Sequence, residues 1–161
     1  MLQYMARCPT QRAPGFLLGY SSRMAGSLTS SVVGKLPLML ALAGAGGLGT
    51  LARFAVSSWV ARLHHESAVI APLGTLVVNA LGCFLFGLVW AWAASRADAP
   101  VELRLIVLTG FLGAFTTFST FGFETMHLLR TGAWMWAAGY LIAQCVTGVL
   151  LAFAGYALGT R

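Results

Sequence analysis

The sequence is poor in charged residues, and acidic residues are the scarcest of them. Only 9% of the 161 residues are charged and only four are Asp or Glu, whereas a soluble domain carries about 25% charged residues. Hydrophobic residues make up 58% of the chain, and its mean hydropathy is +0.81. A chain with so few charges cannot cover a surface exposed to water, which argues against a soluble protein.

Paired cysteines and basic clusters are also missing. Cys8, Cys83 and Cys145 form no CxxC motif, so we expect neither a disulfide nor a metal cluster. The basic residues do not group with aromatic residues outside the apolar runs, so we expect no nucleic-acid partner. The connections between those runs are too short to house a soluble domain, and we infer no soluble partner and no enzymatic activity.

What the sequence contains instead is four long apolar runs. About 20 helical residues cross about 30 Å of hydrocarbon, and the alternation typical of a membrane β-barrel is missing. We therefore predict an all-α protein of the cell inner (plasma) membrane, with transmembrane helices at about residues 36–61, 69–94, 104–127 and 133–158. These spans form one domain, residues 35–161.

Residues 1–34 have a different composition. They contain three arginines and no acidic residue. We interpret them as a basic, disordered N-terminal extension, although a targeting peptide or an upstream start of translation would have the same composition.

The charges that flank the predicted spans give little preference for one orientation. Lys35, Arg96, Arg104 and Arg161 would lie on one side of the membrane, and Arg53, Arg62 and Arg130 at or near the other. This weak bias allows insertion in both orientations. Ala45 and Gly49 form a small-xxx-small pair that lets helices approach closely. We expect an oligomer, although packing within one subunit would use the same pair.

Several amides and hydroxyls fall at membrane depth. Asn79 lies near the middle of the second run, and an unpaired amide in hydrocarbon costs several kcal/mol. Tyr140, Gln144 and Thr147 share one face of the fourth helix. Both groups could line an ion path, and both could equally hold helices together.

The stretch GFLGAFTTFSTFGFET, residues 110–125, predicts a broken third helix. Gly110 and Gly113 weaken the helix, and hydroxyls from Thr116 to Thr120 can satisfy backbone groups that a break would free. Freed carbonyls can hold a hard cation and freed amides can approach an anion. Phenylalanine rings add a positive edge. The residues alone thus predict a buried polar path for an unspecified ion.

Three motifs resemble those of the Fluc/CrcB fluoride channels. They are GGLGTLARF (46–54), GTLVVNALGCFLFG (74–87) and GFLGAFTTFSTFGFE (110–124), in the order and spacing of that family. The resemblance covers roughly residues 38–158. It implies an antiparallel, dual-topology homodimer in the lipid bilayer, with the third helix broken at mid-membrane and two fluoride pathways along the subunit interface.

The resemblance also implies site residues. A structural sodium ion would be bound by the backbone carbonyls of Gly113 and Thr116 from both chains, and Arg53 would lie near a vestibule. Combined with the polar strip and the hydroxyls, it predicts a fluoride pathway lined by Asn79, Thr117, Phe118, Ser119, Phe121, Tyr140, Gln144 and Thr147. Gln144 and Gly148 depart from the family, which usually has serine or threonine along this track.

The predicted activity is passive export of cytoplasmic fluoride, which lowers its toxicity. Two alternatives are a four-helix, proton-coupled multidrug exporter and a membrane assembly subunit without transport. The exporter needs a carboxylate at membrane depth, and the only acid adjoining a span is Glu124. The assembly subunit would need the small-residue faces but has no use for Phe118 and Phe121.

Overall fold

The structure, a computed structural model, describes residues 35–63, 71–96 and 100–161. The predicted N-terminal extension, residues 1–34, lies outside this range. The described helices are α1 (Leu36–Leu63), α2 (Ala71–Ala94), α3 (Val101–Arg104), a π-helix (Leu105–Leu112), α4 (Gly113–Phe115), α5 (Phe118–Arg130) and α6 (Trp134–Gly159).

Within the part of the chain that the structure describes, four stretches are long and apolar enough to cross a membrane. They are Leu36–Leu63, Pro72–Ala94, Val101–Arg130 and Trp134–Gly159. This confirms the prediction of an all-α protein with four apolar spans. Large apolar side chains such as Phe54, Met135 and Phe153 are exposed on the outer faces of these helices, as expected where lipid rather than water surrounds them.

Glycine allows α2 and α6 to pack with their backbones in contact. A Cβ atom added to Gly87 would overlap the carbonyl oxygen of Ala152, and one added to Gly155 would overlap that of Phe84. Close approach of this kind is how small residues associate helices inside a membrane. The closely packed α2–α6 pair supports the site described below.

Gly155→Ala is therefore expected to destabilise the protein although it adds one methyl group. The new carbon would also lie 2.9 Å from the backbone nitrogen of Leu88, so α2 and α6 must separate, at a cost of about 1–3 kcal/mol. Thermal unfolding in detergent measures this loss. Gly44→Ala is the matched control, because a Cβ atom there meets no atom within 4 Å. Equal midpoint temperatures of unfolding for Gly155→Ala and Gly44→Ala would contradict the close packing of α2 and α6.

The predicted small pair contacts the third span of the same chain. A Cβ atom on Gly110 would lie 3.0 Å from that of Ala45, and one on Gly49 would overlap the carbonyl oxygen of Phe111. The sequence allowed this pair to pack either between two subunits or within one subunit. In the structure, Ala45 and Gly49 pack against the third span of the same chain.

The third span is irregular along its length. In the π-helix the backbone bonds reach five residues back, as the Gly113 N–H does to the Leu108 carbonyl, a geometry that often accompanies functional sites. Helix α4 ends at Phe115, Thr116 and Thr117 have extended backbones, and α5 begins at Phe118. The span thus consists of two helical halves joined by two non-helical residues.

A tight turn brings α6 back beside α5. Gly132 has a φ of 78°, in the left-handed region that glycine enters without strain. The Ala133 N–H donates to the Leu128 carbonyl at 2.9 Å, which closes the C-terminus of α5. As a result Tyr140 and Gln144 of α6 face α5 and α2.

Candidate functional site

An open groove of about 320 Å³ lies where α2, the non-helical residues of the third span and α6 meet. Six residues predicted for the fluoride or sodium sites line it: Asn79, Thr116, Thr117, Phe118, Phe121 and Gln144. They come from three spans and are brought together by the packing of α2 against α6. None of the described residues that line the groove carries a charge.

Two threonines form the non-helical segment. Thr116 has φ and ψ of −80° and 158°, and Thr117 has −148° and 108°. β-Branched residues favour such extended geometry. The Thr116 hydroxyl donates to the Leu112 carbonyl at 3.0 Å. The Thr117 hydroxyl accepts from the Thr120 N–H at 3.2 Å and so caps the N-terminus of α5. These hydroxyls satisfy backbone groups at the ends of both halves.

Asn79 holds the non-helical segment from the side. Its Oδ1 accepts from the Thr117 N–H at 2.8 Å, and its Nδ2 donates to the Thr117 carbonyl at 3.2 Å. One amide thus pairs with both polar groups of a single residue, as a neighbouring β-strand would. From the sequence, Asn79 could either hold two helices together or line the ion pathway. In the structure it bonds to Thr117 of the third span and also lines the groove.

In this segment two backbone amides donate to side chains instead of to the carbonyls that a continuous helix would provide. In an unbroken helix the Thr117 N–H would bond to the Gly113 carbonyl, and the Thr120 N–H to the Thr116 carbonyl. Here these amides donate to Asn79 Oδ1 and to the Thr117 hydroxyl. The carbonyls of Gly113 and Thr116 therefore lose the donors that a continuous helix supplies.

Two edge-to-face contacts join three aromatic rings in series from the groove towards α6. Phe118 lies 5.5 Å from Phe121, and Phe121 lies 5.3 Å from Tyr140, between ring centroids. Phe121 is 8% exposed and Phe118 is 82% exposed. Phe121 is therefore fixed in the fold, whereas Phe118 projects from it at the open side of the groove.

A hydrogen-bonded chain centred on Glu124 links α2, α5 and α6. Glu124 accepts from the Thr75 hydroxyl at 2.8 Å and from the Tyr140 hydroxyl at 2.6 Å. Gln144 Nε2 donates to the Tyr140 oxygen at 3.3 Å. The carboxylate therefore has two partners, and its neighbours are oriented towards it.

The remaining predicted residues lie elsewhere. Arg53 is half-buried on α1, and Ser119 is exposed, with its hydroxyl 3.3 Å from that of Thr117. The Thr147 hydroxyl donates to the Ala143 carbonyl of its own helix at 2.6 Å. The groove lining among the described residues includes neither these three nor Tyr140 and Gly113.

Comparison with known proteins identifies the family of the chain. Residues 39–156 match the family described as "CrcB-like protein, Camphor Resistance (CrcB)". The chain belongs to the CrcB family.

Relatives in this family extend over most of the chain. A protein named "Fluoride-specific ion channel FluC" from Nitrosococcus oceani is 52% identical over 119 residues, which cover 74% of this chain and 91% of the relative. Relatives of the same name are 45% identical in Nitratidesulfovibrio vulgaris (strain Miyazaki F) and 38% identical in Dehalococcoides mccartyi (strain BAV1). They match 76% of this chain, and 94% and 92% of their own lengths. The resemblance stated from the motifs is confirmed.

The predicted pathway of this CrcB-family protein did not include Glu124 or Thr75, although the sequence allows a polar strip that joins Thr75 to Asn79 and has Glu124 where the family has an acidic residue after the aromatic pair. Thr75 precedes Asn79 by one turn of α2, and Glu124 follows Phe121 by one turn of α5, so each continues the face of a predicted pathway residue. Their contact with each other depends on how the helices are rotated, which the sequence does not state.

Proposed function

We propose that the protein is a passive fluoride channel that lets cytoplasmic fluoride leave the cell and so lowers its toxicity. The proposal is supported by the name of its relatives and by the chemistry of the groove. The single observation that carries it is the convergence of ring edges, an amide and hydroxyls on one groove whose described lining is uncharged.

A small, strongly hydrated anion that enters the groove must give up part of its water shell. The groove must replace those contacts with the water without binding the anion tightly. Ring edges of Phe118 and Phe121 carry partial positive charge, and the Gln144 amide and the Thr117 hydroxyl can donate hydrogen bonds. Each site is weak compared with a buried lysine. Conduction requires such weak, successive sites, because an ion must also leave them.

The channel is proposed to be an antiparallel, dual-topology homodimer with the non-helical residues of the third span at mid-membrane. A single chain leaves the groove open and Phe118 projecting from it. A second copy against this side would enclose the groove and shield the ring from lipid. The weak charge bias of the spans suits insertion in both orientations.

A structural sodium ion is proposed at the centre of this dimer. The carbonyls of Gly113 and Thr116 lack their helical donors because the amides bond elsewhere, and carbonyls at unwound segments are suitable ligands for sodium. Two chains would supply four such oxygens. The ion would neutralise them and fix the two third spans together, leaving Asn79 to hold each Thr117.

Removal of sodium is expected to slow fluoride efflux by about tenfold or more, because carbonyls without a donor or cation inside a membrane cost several kcal/mol. The measurement compares efflux from liposomes of protein purified in sodium with that in N-methylglucamine, and potassium salts provide the ionic-strength control. Equal rates in all three cations would exclude a sodium requirement.

The function itself is tested with purified protein in liposomes loaded with fluoride or with chloride. Efflux is read by an ion-selective electrode after a potassium ionophore is added. Fluoride release with chloride retained supports the channel. Release of neither ion indicates an assembly subunit, and dependence on an imposed proton gradient indicates the exporter.

A further inference from the structure

A second cavity of about 220 Å³ lies between α2, α5 and α6. Its lining is mostly apolar, with the Tyr140 hydroxyl and the Trp136 indole N–H as the polar side-chain groups, and includes Leu73, Leu76, Leu128, Trp136, Gly139 and Tyr140. The Tyr140 hydroxyl already donates to Glu124, so the cavity offers a water molecule few partners. An apolar occupant therefore suits it better than water.

The cavity lies close to one end of the bundle. Helix α2 begins at Ala71, α5 ends at Arg130 and α6 begins at Trp134, and antiparallel neighbours place these three termini at the same end. Leu73 and Trp136 belong to the first turns of their helices. The cavity thus opens just inside one boundary of the hydrocarbon region, where an acyl chain begins.

The charge at this end is positive among the described residues. Arg130 is exposed in the last turn of α5, and Arg62 is exposed in the last turn of α1. None of the described residues in the terminal turns at this end is acidic. Trp136 is 63% exposed, and tryptophan favours the level of lipid headgroups. An apolar slot at the same end of the bundle as an exposed arginine is complementary to an anionic phospholipid.

We infer that an anionic phospholipid binds here, with one acyl chain in the cavity and its phosphate beside Arg130. The bound chain contacts the ring of Tyr140, whose hydroxyl donates to Glu124 and whose edge meets Phe121. Lipid occupancy therefore supports a residue of the polar network. The consequence for fluoride flux depends on the proposed function, whereas binding of the lipid does not.

Native mass spectrometry of the full chain tests the site, with phosphatidylglycerol and phosphatidylcholine as probes. Gly139→Leu directs a side chain into the cavity, which Gly139 lines, and a Cβ atom there meets no atom within 4 Å. Arg130→Gln removes the charge. Gly44→Leu and Arg62→Gln are the matched controls, since Gly44 is equally unobstructed and Arg62 is an exposed arginine at the same end.

Wild-type protein and both controls should retain phosphatidylglycerol in preference to phosphatidylcholine. Gly139→Leu should lose retention of both lipids at this site, and Arg130→Gln should reduce the preference by about fivefold, the effect of one basic residue near an anionic lipid. Unchanged retention in Gly139→Leu, or equal retention of the two lipids by wild type, would overturn the inference.

Two further results separate this inference from its alternatives. Conversion of the Gly139→Leu protein to a monomer with lipid retention unchanged would show that a second copy of the chain, not lipid, covers the cavity. Loss of lipid preference in Arg130→Gln with no fluoride efflux in any variant would uphold the lipid site while the channel proposal fails.

Discussion

Phe118→Ile should abolish fluoride efflux and leave the protein folded. The side chain is 82% exposed, so it contributes little to the core of the subunit. Isoleucine keeps the apolar bulk but has no ring edge to meet a dehydrating anion. We expect efflux to fall at least about a hundredfold, which corresponds to about 2.7 kcal/mol in the barrier.

The matched control is Phe123→Ile on the same helix. Phe123 is also largely exposed, at 63%, but it is not among the described residues that line the groove. Its substitution should leave the efflux rate within about twofold, as is usual for a surface position without a specific contact. Near-normal efflux in Phe118→Ile, measured with the same electrode, would remove Phe118 from the pathway.

Asn79→Asp should have an effect of similar size for a different reason. The substitution keeps an oxygen to accept from the Thr117 N–H but replaces the Nδ2 donor that bonds to the Thr117 carbonyl. It also places a negative charge on the wall of the groove, and two like charges at 4 Å repel by about 4 kcal/mol at an effective dielectric constant of 20. Fluoride efflux should therefore be lost.

Asn79→Leu serves as the comparison because it removes both hydrogen bonds without adding charge. The Thr117 N–H and carbonyl would then be left without the amide, at about 1–3 kcal/mol each, so thermal stability should fall below that of the wild type. If folded Asn79→Asp protein conducts at the wild-type rate, Asn79 does not line the path.

The hydroxyl-rich stretch of the third span shows which features of the fold can be predicted from local sequence. Glycines and adjacent threonines predicted an interruption there, and Thr116 and Thr117 do have extended backbones. These preferences act between near neighbours in the chain, so they can be identified from the sequence. The π-helical geometry of Leu105–Leu112 was not predicted, because no residue pattern in that apolar run distinguishes it from an α-helix.

Contacts between residues on different helices were harder to predict from the sequence. The face shared by Tyr140, Gln144 and Thr147 predicted a continuous polar strip, but only Tyr140 and Gln144 bond to each other, and Thr147 bonds to its own helix. Residues three or four apart share a face. Whether a hydroxyl on that face turns outward or back to its helix depends on the neighbouring span.

The sequence by itself determined that the chain is a membrane protein with four apolar spans, because runs of about 20 apolar residues with few charges are suited to the hydrocarbon of a bilayer. Its motifs also determined the family. Only the tertiary structure decided that Asn79 pairs with Thr117, 38 residues away, and that Thr75 pairs with Glu124, 49 residues away. These contacts depend on the rotation and close approach of the packed helices, which no local pattern in the sequence specifies.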